Sequence, residues 1–301
     1  MLPFARVTVI GLGLIGSSIC RAVRAYMPTV RITGHDASAQ VREIARRIDL
    51  CDDVTDTPGA SVTDADLVIL CVPVGAMGAA AADIAADLPA DAIVSDVGGS
   101  KASVLAALRA ALPNATIVPG HPVAGTEHCG PESGFATVFK GRWCILTPDD
   151  LTPPVATARL RAFWEAFGAN VEEMTPEHHD LVLAVTSHVP HLIAYTIVGT
   201  ASDLEAVTRS EVIKYSAGGF RDFTRIASSD PTMWRDVFLN NREAVLEIMQ
   251  RLTEDLNAMQ RAIRWGDGDK LFDVFSRTRA IRRSIIEQGQ DDAKADFGRE
   301  H

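Results

Sequence analysis

Three glycines in the order Gly11-Leu12-Gly13-Leu14-Ile15-Gly16 follow the apolar run Val7–Ile10 and open a helical pattern. This G-x-G-x-x-G spacing suits a dinucleotide. Gly11 makes a tight turn, Gly13 lets backbone approach a pyrophosphate, and Gly16 allows close packing of helix on strand. The helix that begins at Leu14 and Ile15 offers free N–H groups and a partial positive charge to the phosphates. Asp36 stands 20 residues after Gly16, at the end of the second apolar run. A carboxylate there accepts hydrogen bonds from ribose hydroxyls and repels an additional phosphate, and no arginine occupies 37–40, so the pattern predicts NAD rather than NADP. Asp36 could instead cap a helix starting near Ser38, and the two tasks are compatible. A third apolar run exits through Val72 and Pro73, a turn that could pack against either ring of the cofactor.

A second group of residues could act on a substrate. His121 lies between Gly120 and Pro122 at the end of a short apolar run. A neutral imidazole there could accept a hydroxyl proton, because its ordinary pKa lies near working pH; a loop histidine bonded to backbone is the alternative. In Thr186-Ser187-His188-Val189-Pro190-His191, Pro190 is expected to kink a helix and free carbonyls. His188 and His191 could ligate a metal, yet only Asp180 offers itself as a further ligand, and no metal is expected. Gly218-Gly219-Phe220-Arg221-Asp222-Phe223-Thr224-Arg225 joins a flexible pair of glycines to two arginines. Arg221 and Arg225 could clamp a carboxylate with their guanidinium forks, or form surface salt bridges.

These residues need a scaffold, and its class is readable. From Val7 to Leu146, short apolar runs (7–10, 30–33, 67–72, 92–95, 116–118, 143–146) alternate with helical patterns near 14–26, 38–48, 75–87 and 100–112. That alternation predicts an α/β unit, a doubly wound parallel sheet covered by helices on both faces. Pro28, Pro89 and Pro113 close helices, and the alanines from Ala76 to Ala86 reflect helix propensity. The segment 147–154 has the turn and proline content of a boundary. Beyond it, after one more strand near 170–174, apolar spacing is helical. With 301 residues, the expectation is two domains, 1–150 and 151–301, the second mainly α-helical, with a loose polar tail from about Gln288.

Composition excludes other classes. A net charge of −10 without a basic cluster disfavours nucleic acid. No uninterrupted apolar run approaches the roughly 20 residues of a membrane span. The first residues lack the features of a signal peptide, so a cytoplasmic location is expected. Five scattered cysteines without a C-x-x-C pair argue against a disulfide framework and a thiolate zinc site.

Taken together, residues 11–18 (Gly-Leu-Gly-Leu-Ile-Gly-Ser-Ser), 121–127 (His-Pro-Val-Ala-Gly-Thr-Glu), 187–191 (Ser-His-Val-Pro-His) and 218–227 (Gly-Gly-Phe-Arg-Asp-Phe-Thr-Arg-Ile-Ala) resemble the prephenate and arogenate dehydrogenases of tyrosine biosynthesis. Four motifs in order cover nearly the whole chain. The resemblance implies NAD-dependent oxidative decarboxylation of prephenate, arogenate or both. It implies that His121 hydrogen-bonds the ring hydroxyl and assists hydride loss, and that Arg225 holds a carboxylate. It further places His191, Glu127, Gly125, Asp180, Arg221 and Trp234 around the pocket or its entrance, and implies a homodimer. One position departs from the pattern. Where the family commonly has Asp-x-Gly-Ser-x-Lys, this chain has Asp96-Val97-Gly98-Gly99-Ser100-Lys101, so Gly99 replaces a serine; Ser100 or a water could take its part. No additional C-terminal regulatory domain and no fused mutase is expected. Two other classes compete: a β-hydroxyacid dehydrogenase, for which residues 176–200 lack the catalytic lysine, and a non-catalytic NAD-sensing module, which would leave His121, His191 and Arg225 without a purpose.

Overall fold

The computed structural model describes residues 2–126, 128–208 and 218–287. Glu127 and the tail from 288 lie outside the described residues. The described chain divides into two compact units, Met1–Val245 and Leu246–His301.

The first unit is built on a six-stranded parallel sheet. Its strands are β1 (Arg6–Ile10), β2 (Arg31–His35), β3 (Asp53–Val54), β4 (Leu67–Leu70), β5 (Ile93–Asp96) and β6 (Thr116–Ile117), in the order β3-β2-β1-β4-β5-β6. Helices cover both faces, including α1 (Leu14–Tyr26), α2 (Ala39–Arg47), α3 (Pro58–Val62), α4 (Met77–Ile84) and α5 (Ala102–Ala111). Strand periodicity explains the layers: Leu67 and Ile69 enter the core under α1, while Val68 and Leu70 enter the opposite core with Met77, Leu105 and Leu108. Chain order reverses between β1 and β4. Crevices for ligands form beyond the carboxyl ends of strands at such a switch point, and Gly11 and Val72 both lie there.

Sequence and structure differ in several places. Residues 143–146 are a strand, but not of the parallel sheet. They form β8, paired antiparallel with β7 (Gly120–Pro122) and parallel with β9 (Asn170–Glu173) in a separate three-stranded sheet. The short β3 and β7 are absent from the sequence reading because two or three residues, one strand holding Gly and Pro, carry no period. The turn at 147–154 is largely at the surface, but the helix that follows it packs into the same core as the parallel sheet. Helix α6 (Pro154–Glu165) contributes Ala156, Leu160, Phe163 and Trp164 to the cluster that holds Phe4, Val7 and Ile19.

Helix α7 (Pro176–Leu183) starts where Thr175 Oγ1 accepts the His178 N–H at 3.2 Å and Pro176 occupies the first turn. A π-helical turn, Ala184–His188, then leads into α8 (Val189–Thr208). The disturbance expected at Pro190 is thus absorbed one turn earlier: proline lacks an N–H and crowds the carbonyl four residues back, and a widened turn relieves both. Helices Gly218–Thr224 and Pro231–Asn240 also belong to this unit. The expectation of no membrane-length apolar segment is corrected here. Pro176–Asp203 spans 28 residues, its most apolar 18 residues reach a mean hydropathy of 1.6, and by length and composition alone it is long and apolar enough to cross a membrane. Interrupting histidines and Asp180 hide this from a search for unbroken runs.

The second unit contains most of helix Arg242–Trp265 and helix Gly268–Glu287. Leu256, Ile263, Trp265, Phe272, Phe275 and Ile281 are exposed on it.

Candidate active site

Each glycine of the turn is accounted for by its surroundings. Gly11 has φ +96°, and a Cβ there would strike the Cys71 carbonyl; on Gly16 it would strike the Gly11 carbonyl. A Cβ on Gly13 would meet nothing within 4 Å. Gly13 is also the N-cap of α1 and supplies no side-chain cap, so the first N–H groups, among them those of Leu14 and Ile15, have no side-chain acceptor. Open backbone, unsatisfied donors and a helix N-terminus together fit a pyrophosphate. Asp36 Oδ2 accepts the Leu12 N–H at 2.8 Å and Oδ1 accepts the Ser38 N–H at 2.9 Å. It therefore ties the glycine turn to the loop that enters α2, whose N-cap is Ser38. Arg42, just beyond the arginine-free stretch, donates to the Asp36 carbonyl at 2.7 Å and pairs with Asp56 at 3.2 Å. Val72 lies against the turn, its Cγ1 3.2 Å from the Gly11 Cβ position, and Pro73 is exposed beside it.

His121 is half-buried on β7. Its Nδ1 is 2.8 Å from Nε2 of the fully buried His179, and His179 Nδ1 is 2.9 Å from Asp180 Oδ1. Asp180 accepts the backbone N–H groups of Lys101 (2.7 Å) and Ala102 (3.0 Å) at the start of α5. Beneath this chain a sealed ion pair joins Lys101 Nζ to Asp96; Lys101 also donates to the Gly120 carbonyl at 2.7 Å, and Asp96 accepts the Gly98 N–H at 2.8 Å. Burial pushes the His121 ring well below its ordinary pKa of 6.5, and His179, Lys101 and His188 push the same way. The ring is neutral near pH 7, as a proton acceptor must be.

Gly99 lies close to the Nε2 edge of His121. A Cβ there would stand 3.9 Å from Nε2 and 3.8 Å from Val237 Cγ2, so a serine would fit without strain. Ser100 is fully buried, and among the described residues its hydroxyl has no hydrogen-bond partner.

The remaining candidates divide. His191 is half-buried, donates from Nδ1 to the Ser187 carbonyl at 2.8 Å and stacks on the buried Trp234 at 3.6 Å. Burial lowers its pKa, the Ser187 carbonyl opposes this, and the charge of the exposed Arg225 lowers it further. Arg221 is exposed and lies 3.5 Å from Asp222, the surface pairing its spacing allowed. His188 faces a different partner from His191. Its Nδ1 faces Asn241 Nδ2 at 3.0 Å, and burial takes its pKa to about 4. Gly125 sits against Leu14.

From Gly125 the loop runs back over α1. Phe135 N–H donates to Ser18 Oγ at 3.1 Å, Arg21 donates to the Pro131 carbonyl at 3.0 Å, and a Cβ on Gly134 would collide with Ser17 Oγ.

Sequence reasoning missed His179 and Asn241, and it named Asp96 and Lys101 without seeing that they pair. A signal for His179 exists: Pro176, His179, Asp180 and Leu183 are the buried positions of α7, three and four apart.

Comparison with known proteins gives the same picture. Residues 19–173 match the family model "Prephenate dehydrogenase, nucleotide-binding domain", and residues 175–277 match "Prephenate dehydrogenase, dimerization domain". The cyclohexadienyl dehydrogenase of Zymomonas mobilis is 46% identical over 285 residues, 95% of this chain and 97% of that one. The prephenate dehydrogenase of Bacillus subtilis is 32% identical, over 91% of this chain and 74% of its own. The prephenate dehydrogenase of Aquifex aeolicus, solved with hydroxyphenyl propionate and NAD+, superposes with a TM-score of 0.88 at 33% identity, covering 95% of this chain and 98% of that chain. With a doubly wound sheet, a neutral histidine beyond its edge and both family models matched in succession, the chain belongs to the prephenate dehydrogenase family.

Proposed function

We infer that this chain carries out the NAD-dependent oxidative decarboxylation of prephenate, arogenate or both, yielding 4-hydroxyphenylpyruvate or tyrosine. The observation that carries the reading is His121, a half-buried imidazole held neutral at the edge of a dinucleotide-type crevice, in a chain 46% identical over nearly its full length to a cyclohexadienyl dehydrogenase. Gly11, Gly13, Leu14, Ile15 and Gly16 hold the pyrophosphate, Asp36 the adenosine ribose, and Val72 and Pro73 pack on the cofactor. When bound, NAD supplies the acceptor for hydride from the ring carbon. His121 accepts the ring hydroxyl proton at Nε2, and Arg225 forks onto a substrate carboxylate. His191 and Trp234 form one wall; Gly125 and Arg221 stand at the entrance. Loss of carbon dioxide makes the ring aromatic, which makes the step effectively irreversible. Asp180 acts from behind, through its contacts with His179 and α5, and Gly99 leaves the hydroxyl's other hydrogen bond to solvent rather than to Ser100.

The domain division follows the cores: a nucleotide-binding part to about residue 173, since α6 and β9 belong with the sheets, and a helical part beyond. The exposed apolar residues of α8, among them Ile197 and Val198, are assigned to a second copy of the chain rather than to lipid, in keeping with the dimerization-domain match over 175–277. A cytoplasmic location accords with such an enzyme.

The test is an assay of the purified chain with NAD and each substrate in parallel. NADH should appear with 4-hydroxyphenylpyruvate or tyrosine, and His121→Asn should lose at least about a hundredfold in turnover while still binding NAD. No NADH from either substrate would remove the assignment.

A further inference from the structure

Asp180, His179 and His121 form one hydrogen-bonded line whose polarity is fixed at its buried end. The Asp180 carboxyl already takes two backbone N–H groups from the start of α5, and its 2.9 Å contact to His179 Nδ1 makes that nitrogen the donor. His179 then has only a lone pair on Nε2, so across the 2.8 Å contact the donor is His121 Nδ1. We propose that His179 is a positioning residue, which, backed by Asp180, holds the ring proton of His121 on Nδ1 and leaves the lone pair on Nε2, toward Gly99.

The surroundings support this assignment. Around the two rings stand Asp96 and Lys101 before α5, Asp180 on α7, His188 on the π turn and the Cys144 thiol on β8. Lys101 is already joined to Asp96, and His188 faces Asn241; neither supplies His121 Nδ1 with another acceptor. His179 is fully buried and burial lowers its pKa, so it enters the line uncharged. When the ring hydroxyl gives up its proton, the O–H bond breaks and an Nε2–H bond forms. The Nδ1–H bond stays intact. The positive charge that appears on His121 is stabilised through His179 by Asp180, and no electrons pass along the line.

The consequence for turnover rests on the function proposed above; the first readout does not. Nitrogen-15 spectra of the histidine-labelled full chain, with and without NAD, should show His121 protonated on Nδ1. His179→Leu should shift that proton toward Nε2 and lower kcat for prephenate by about a hundredfold or more, with NAD affinity changed by less than about threefold. His179→Gln, whose amide can accept from His121 and donate to Asp180, should keep the Nδ1 proton and hold kcat within about tenfold. A wild-type His121 protonated on Nε2 overturns the proposal. So does a folded His179→Leu that keeps both tautomer and kcat. Should the leucine variant fail to bind NAD as a sign of misfolding, His179→Gln decides: a moved proton or a collapse in kcat overturns the proposal, and retention of both supports it. A wild-type chain inert toward prephenate and arogenate but with the Nδ1 tautomer would sink the proposed function and leave the tautomer assignment standing.

Discussion

His121 can accept a proton only while its ring is neutral, and its surroundings decide how far into acid that holds. Burial is the largest cause of its lowered pKa, followed by His179, Lys101 and His188. The sign is unambiguous: a depressed pKa moves the loss of the base to lower pH. The acid limb of kcat/KM should therefore have its midpoint below the ordinary histidine value of 6.5, with full activity above it. A midpoint at or above that value, measured by initial rates across pH with NAD saturating, would remove His121 as the base. Chemistry-bearing residues of this kind were legible where local sequence marks them: His121 between glycine and proline, Asp36 at a strand end, the glycine spacing itself. His179 and Asn241 were not, because their partners lie 58 and 61 residues away in the chain. Only folding brings them together. Arg221 and Arg225 share one motif and are both exposed, and only the effect of the Arg225 charge on His191 separates them.

At the scale of elements, the short loop from β5 to α5 carries the densest set of constraints. The Asp96–Lys101 pair is fully buried, yet its polar atoms are met by Gly98 N–H and the Gly120 carbonyl. Removing one partner strands a charge in the core, which typically costs about 3–5 kcal/mol. Lys101→Met should lower the free energy of unfolding in urea by about that amount, whereas the double change Asp96→Asn with Lys101→Met should recover part of it. An unchanged midpoint for Lys101→Met would show the pair to be hydrated. The parallel sheet was readable from its apolar runs because strands buried on both faces have no polar residues to break them. The second sheet was not: β7 is three residues long, and β8 carries the same pattern whether it pairs parallel or antiparallel. Likewise, the prolines at 148, 153 and 154 read as a boundary, although Pro154 merely starts a helix whose apolar face returns to the first core.

At the scale of the whole molecule, α8 leaves Ile197 and Val198 open to solvent, an arrangement that a soluble monomer seldom maintains over a long apolar helix. Sedimentation should report a dimer, and Ile197→Asp combined with Val198→Asp should convert it to monomer; a wild-type chain that sediments as monomer would refute the assignment. The loop that leaves His121 and lies across α1 has a further consequence. One stretch of backbone leads from the proton acceptor to the helix whose N-terminus receives the dinucleotide, pinned there at Ser18 and Arg21. A ligand that moves either end does work on the other. Thermodynamic reciprocity then applies: by whatever factor the dinucleotide tightens the cyclohexadiene, the cyclohexadiene tightens the dinucleotide by the same factor. Loosening the pins, as an alanine at Gly134 would, should erode both affinities together.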